Sequence, residues 1–217
     1  MREYKLKGIF EDRRKLFTLS LVPGQKVYSE QVVNGKWREW IPQKSKLAAG
    51  IKNGLSQIGI KPGSKVLYLG ASTGTTCSHV SDMLGKEGEL YALDFAPRTQ
   101  RELVFLAETR SNMTCLLEDA AQPKKYEHKV PYVDVVFQDI AQRDQAGIFI
   151  KNCEVFLKSG GFGILAVKAK SIDSKKRPKA IFAEVRETLE KSGLVIVDSR
   201  TLEPYEKDHY MFVIKKR

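Results

Sequence analysis

The chain has 217 residues, 42% of them hydrophobic and 29% charged, which suffices to bury a core without disulfide staples and excludes a disordered chain. Gly 16 and Pro 8 exclude collagen-like and low-complexity sequence, and no apolar run approaches the ~18 residues of a membrane span. A formal net charge of +11 points to a polyanionic partner, nucleic acid before an anionic membrane.

Met1 to Lys7 carries no apolar signal core, so a soluble cytoplasmic protein is expected. Cys77, Cys115 and Cys153 are odd in number and show no CxxC spacing, so neither a disulfide framework nor a metal site is expected, and they read as small core residues. Residues 1–42 read as a small antiparallel β domain. Tyr4, Leu6 and Gly8 alternate with Lys5, Lys7 and Ile9, and Leu16, Thr18 and Ser20 alternate with Phe17, Leu19 and Leu21. Val32-Val33-Asn34-Gly35-Lys36-Trp37 carries the Asn-Gly signal of a two-residue hairpin, and Pro42 closes the sheet.

From Ser45 the period changes. Leu47, Ile51, Leu55 and Ile58 mark one helical face with Ser45 as N-cap. Strands and helices then alternate: strands over 65–69, 90–93, 113–117, 133–137 and 163–167, and helices over 75–84, 98–110, 145–157 and 181–189. Two final strands, 194–197 and 210–214, have no helical pattern between them and can pair antiparallel. Strand cores without a polar face predict a sheet covered on both sides. Residues 43–217 are therefore expected to form a doubly wound, mostly parallel α/β domain finished by an antiparallel pair.

The first strand-to-helix turn is Gly70-Ala71-Ser72-Thr73-Gly74-Thr75-Thr76, where glycine lets backbone approach a ligand. Its GxxxG spacing is neither the dinucleotide GxGxxG nor a phosphate-binding P-loop. Asp94, twenty residues after Gly74, ends the second strand, where a carboxylate can accept from both hydroxyls of a ribose. Glu118-Asp119-Ala120 and Asp139-Ile140-Ala141-Gln142 end the third and fourth strands, at the edge where open α/β sheets bind ligands. Asp119 reads equally as a turn cap. Lys168 ends the fifth strand, with Asp139 as its expected partner. Lys46 at the start of the first helix and His209 at the start of the last strand read by themselves as an ordinary surface lysine and a structural histidine. Six of the twelve positions from Lys168 to Lys179 are basic. Lys170, Lys175, Lys176, Arg177 and Lys179 are therefore expected on a loop that contacts a polyanion beside the crevice.

Three functional classes compete on these residues. An enzyme with a nucleoside cofactor uses the turn and the acid. A nicotinamide-dependent dehydrogenase shares both, but has different glycine spacing and no antiparallel final pair. A non-catalytic RNA-binding module explains the charge and leaves Lys168, Asp139 and the turn unexplained.

The sequence resembles the fibrillarin family over nearly its whole length. The resemblance is carried by Trp40-Ile41-Pro42 with Ser45-Lys46-Leu47-Ala48-Ala49, by Gly70 to Thr76 with Ser78-His79-Val80, and by Asp139-Ile140-Ala141-Gln142. Val167-Lys168 with Ser171-Ile172-Asp173, and Glu203-Pro204-Tyr205-Glu206-Lys207-Asp208-His209, complete it. The family usually has Glu-Phe where this chain has Asp94-Phe95, a shorter carboxylate in the same role. The resemblance implies a seven-stranded class I methyltransferase sheet and S-adenosyl-L-methionine-dependent methylation of RNA ribose 2′-hydroxyls in rRNA and tRNA. Gly70, Ala71, Thr75 and Thr76 would hold the cofactor along the turn. Asp94 would hold the ribose, Phe95 the adenine face, Asp119 and Ala120 the base, and Asp139 and Gln142 the sulfonium end. Lys46, Asp139, Lys168 and His209 would form the catalytic set, with Lys168 either a general base or a charged donor to the developing alkoxide. The implied partners are a Nop-domain scaffold protein, a kink-turn-binding subunit and a box C/D guide RNA.

Overall fold

The computed structural model describes residues 1–217. An antiparallel sheet comes first, from β1 (Arg2–Glu3), β2 (Phe10–Asp12), β3 (Lys15–Leu19), β4 (Val32–Val33) and β5 (Trp37–Trp40), in the order β1-β2-β3-β5-β4. The alternation over residues 4–9 does not become a strand, and Ile9 and Leu6 are buried from irregular backbone. Asn34 and Gly35 both have positive φ, and the Lys36 N–H donates to the Val33 carbonyl at 3.2 Å, as a two-residue turn requires. The strand partner of Val33 is Trp37, however, so Lys36 is one extra residue in the expected hairpin.

The remaining elements are α1 (Lys46–Lys52), β6 (Lys65–Leu69), α2 (Thr75–Leu84), β7 (Glu89–Asp94), α3 (Pro97–Glu108), β8 (Met113–Leu117), α4 (Pro123–Tyr126), β9 (Val133–Gln138), α5 (Gln145–Phe156), β10 (Leu157–Lys168), α6 (Ala169–Ile172), α7 (Pro178–Lys191), β11 (Val195–Thr201) and β12 (His209–Lys215). They build a seven-stranded sheet in the order β11-β12-β10-β9-β6-β7-β8, with β12 antiparallel to both its neighbours and β6 to β10 parallel. This is the expected doubly wound arrangement. Val66 and Tyr68 face one buried layer with α1 to α3, while Leu67 and Leu69 face the other with α5 and α7. The chain leaves β6 for β7 and β8 on one side, then returns to β9 on the other. The carboxyl ends of β6 and β9 are thus the switch point at which such sheets open a crevice.

Helix α1 is shorter than its periodicity predicts. Gly54, at φ 97, ends it with Leu55 N–H to Gly50 C=O and Gly54 N–H to Ile51 C=O bonds, a Schellman-type stop. Leu55 and Ile58 still reach the same core from non-helical chain. The basic stretch expected as a loop contains α6, and Pro178 opens α7 within it. No helix is long and apolar enough to cross a membrane.

Leu6 and Ile9, between the first two strands, and Leu16 and Trp40 of the first sheet belong to the same apolar cluster as α1 and α2. A buried polar network crosses this contact. Arg38 donates to Glu30 at 2.9 Å and to Asp82 at 2.8 Å, and Arg110 donates to Asp82 at 2.7 Å, with no side-chain exposure in any of the four. Thr18 gives its hydroxyl proton to Asp82 at 2.9 Å, so His79 Nδ1–H donates to the Thr18 oxygen at 2.8 Å. His79 also stacks on Trp40, with centroids 5.0 Å apart.

Candidate active site

The turn after β6 sits hard against the end of β9. A Cβ on Gly70 would collide with the Asp139 carbonyl oxygen, and Gly70 has φ 85, so only glycine fits. The Asp139 N–H donates to the Leu69 carbonyl at 2.9 Å, and the Gly70 and Ala71 N–H groups both reach the Leu93 carbonyl at 2.9 Å. These bonds align the ends of β9, β6 and β7 around a cavity of about 280 Å³.

The cavity is lined by seven of the expected residues: Gly70, Asp94, Phe95, Asp119, Ala120, Asp139 and Gln142. Ala71, Thr75 and Thr76 do not line it. They lie deeper in the turn and the first turn of α2, where Thr76 Oγ1 donates to Ser45 Oγ at 3.0 Å and joins α2 to α1. Phe95 is 66% exposed, an unpartnered aromatic face at the rim. Asp94 is more committed than its sequence position suggests. It accepts from Ser72 N–H at 2.7 Å, Ala96 N–H at 2.9 Å and Thr99 Oγ1 at 3.0 Å. The Thr99 hydroxyl has a second acceptor in the Ala96 carbonyl, also at 3.0 Å, so two backbone N–H groups hold the carboxylate and acceptor sites remain for a ligand's hydroxyls.

Asp119 accepts from Ala121 N–H and from Gln122 Nε2, each at 2.9 Å, so it caps its own turn as well as facing the cavity. The Gln122 amide leads the causes that hold its carboxyl below the ordinary value. Ala120 is held from behind by Asn152 of α5, whose Nδ2 donates to the Ala120 carbonyl at 2.9 Å.

Asp139 does not pair with Lys168, as its strand position predicts. Its partner is Lys46, with Nζ 2.9 Å from Oδ2 and both side chains about four-fifths buried. Burial first, and then the Asp139 charge, holds the Tyr68 phenol protonated. Lys168 is exposed and makes no ion pair; its backbone, not its side chain, is what its neighbours hold. His209 is the cross-strand partner of Lys168 in the β10–β12 ladder. Its Nδ1–H donates to the Lys207 carbonyl at 2.7 Å, which fixes the ring and leaves Nε2 as an acceptor when the imidazole is neutral.

In the basic stretch, Lys170 lies 3.3 Å from Asp208 and Lys176 lies 2.7 Å from Glu184, while Lys175, Arg177 and Lys179 are exposed without an ion pair.

Ser72, Ile148, Asn152 and Gln145 are the contributors that sequence reasoning passed over. Asn152 and Gln145 had a signal: both are polar on the helical stripe of Phe149 and Phe156, where a buried amide needs partners. Ser72 had none beyond its place in the turn.

The fibrillarin family pattern matches residues 2–217. The fibrillarin-like rRNA/tRNA 2′-O-methyltransferase of Thermococcus onnurineus is 47% identical over 224 residues, covering 100% of this chain and 99% of that one. Among solved structures, Aeropyrum pernix fibrillarin with natively bound S-adenosyl-L-methionine is 41% identical at a TM-score of 0.85, covering 92% of this chain and 88% of that chain. The fibrillarin of a fibrillarin/Nop5p complex is 38% identical at a TM-score of 0.89, covering 97% and 98%. With a family match over residues 2–217 and a relative 47% identical across the whole chain, the chain belongs to the fibrillarin family.

Proposed function

We propose that this chain transfers the methyl group of S-adenosyl-L-methionine to ribose 2′-hydroxyls of rRNA and tRNA, as the catalytic subunit of a box C/D guide ribonucleoprotein. The carrying observation is the charge of the cavity. Asp94, Asp119 and Asp139 line it and no lysine or arginine does. Such a wall repels the pyrophosphate of a nicotinamide dinucleotide and suits a phosphate-free ligand that bears a ribose, an ammonium and a sulfonium. The residues present therefore fit the cofactor. Asp94 would accept from the ribose hydroxyls, and Phe95 would offer a face to the adenine. Asp119 and Ala120 would bound the base, Asp139 and Gln142 would face the sulfonium end, and Gly70 would offer its backbone edge, with Ala71, Thr75 and Thr76 supporting the turn from beneath the cavity.

When bound, the cofactor supplies an already activated methyl group, so positioning of the ribose oxygen accounts for much of the rate. That oxygen must lose its proton as it attacks. Lys168 serves as the neutral base that takes it or as the charged donor that steadies the developing alkoxide. The Lys46–Asp139 pair sets the local charge, and His209 orients the ribose or Lys168. The fibrillarin/Nop5p complex supports a Nop-domain scaffold protein as partner, and a kink-turn-binding subunit with the guide RNA that selects the nucleotide completes the proposed assembly. Lys170, Lys175, Lys176, Arg177 and Lys179 supply contacts to RNA phosphate.

Calorimetry against S-adenosyl-L-methionine and against NAD, followed by methyl transfer in an assembled guide complex, tests this reading. Binding of the first alone, with methylation one guide-defined nucleotide at a time, is expected. Binding of NAD, or methylation without a guide at the same sites, would overturn it.

A further inference from the structure

β9 and β10 do not end together. Their last paired residues are Gln138 and Leu165, yet β10 runs on to Lys168. The backbone N–H and C=O of Lys168 both face the side that β9 has already left, where a bare strand end would have no ladder partner. The side chain of Gln145 takes the missing strand's place. Its Oε1 accepts from the Lys168 N–H at 3.1 Å and its Nε2 donates to the Lys168 carbonyl at 3.2 Å.

Gln145 is itself fixed. It is fully buried at the first position of α5, which Asp144 caps by accepting from Gly147 N–H at 3.0 Å. Its own carbonyl accepts from Gln138 Nε2 at 2.7 Å. A chain of amides therefore runs from the residue before Asp139 to the backbone of Lys168. On the opposite edge, β12 holds Lys168 against His209, and Ala169 N–H donates to the Asp208 carbonyl at 3.1 Å.

We propose that Gln145 is a positioning residue for methyl transfer: its carboxamide substitutes for the absent strand and sets where the Lys168 backbone, and so its side chain, stands relative to Asp139. The inference rests on the reading of Lys168 as a participant in the reaction. Gln145 does not line the cavity, so it acts through Lys168 and not on the cofactor.

The test uses the full chain in its assembled guide complex. Gln145→Met keeps length and burial and removes both bonds to Lys168. Cofactor affinity by calorimetry is expected within twofold of the parent, with kcat down by about ten- to a hundredfold, the scale of a misplacement near 1 Å. The Lys168 amide should also exchange its hydrogen faster relative to the Ile164 and Val167 amides. Gln145→Glu adds a readout that a merely structural role would not move. A protonated carboxyl can still accept from the Lys168 N–H and donate to its carbonyl, whereas a carboxylate cannot donate, so activity relative to the parent should rise as pH falls. Lys168→Ala separates the two readings. If it is inactive while Gln145→Met turns over at the parental rate, the positioning role is overturned and the role of Lys168 stands. If Lys168→Ala itself methylates at the parental rate, the reading of Lys168 is overturned and the positioning role falls with it. If the methionine variant does not fold, a Glu variant whose rate relative to the parent is flat with pH overturns the positioning role.

Discussion

Lys46 Nζ stands 2.9 Å from Asp139 Oδ2, and this contact ties the first helix of the α/β unit to the end of the fourth parallel strand. Lys168, the lysine nearer to Asp139 in strand order, is left without an ion pair. One lysine therefore balances the mostly buried carboxylate while the other stays exposed and unpaired.

If the pair acts as one unit, its members should be non-additive. Lys46→Ala and Asp139→Asn are each expected to lower kcat at least tenfold in an assembled guide complex, with the double variant no slower than the slower single one. Losses that multiply would show two independent contributions.

Asp94→Ala should weaken S-adenosyl-L-methionine at least tenfold by calorimetry, since one hydrogen bond to a charged group contributes about 1.5–3 kcal/mol. It should also lower Tm, because Ser72, Ala96 and Thr99 lose their shared acceptor. Thr99→Val separates the two effects. It removes one internal bond, so it should lower Tm with affinity within about twofold. An Asp94→Ala variant that binds the cofactor normally would remove Asp94 from the site.

Lys175 and Arg177 lack the carboxylate partner that Lys176 has in Glu184. Lys175→Ser with Arg177→Ser should shallow the salt dependence of RNA binding by roughly 0.7–0.9 log units for each phosphate no longer neutralised. Lys176→Ser should change it less, and cofactor affinity should stay at the parental value in both. Equal slopes in parent and double variant would leave this stretch as solvated surface.

His79 makes folding stability depend on pH above the range where carboxylates titrate. Burial, then the Arg38 and Arg110 charges, pushes its imidazole well below the ordinary 6.5. The unfolded chain therefore binds a proton that the folded one refuses, so this stability is complete above about pH 6.5 and is lost as pH falls below it. Urea unfolding between pH 7.5 and 5 should show a declining free energy, and His79→Gln should flatten that decline even though it lowers stability overall. A decline of the same size in the variant would assign it elsewhere.

Much of this molecule is legible in one dimension. The apolar runs at 65–69 and 113–117 are the strands observed there, and the helix from Thr75 to Leu84 begins at the glycine turn and ends at Gly85 as its spacing predicts. Asp94, Asp139 and Lys168 fall at strand ends because strand ends are set by local apolar runs. What the sequence could not determine is which of these ends meet. Arg38, Asp82 and Arg110 share one buried network across 72 residues of chain, and Gln145 substitutes for a strand that stops short. Local periodicity encodes which face of an element is apolar. The choice of Lys46 over Lys168 as the partner of Asp139 depends instead on sheet order, on where β9 ends relative to β10, and on α1 being seated over the Gly70 turn, and only the packed tertiary structure specifies these.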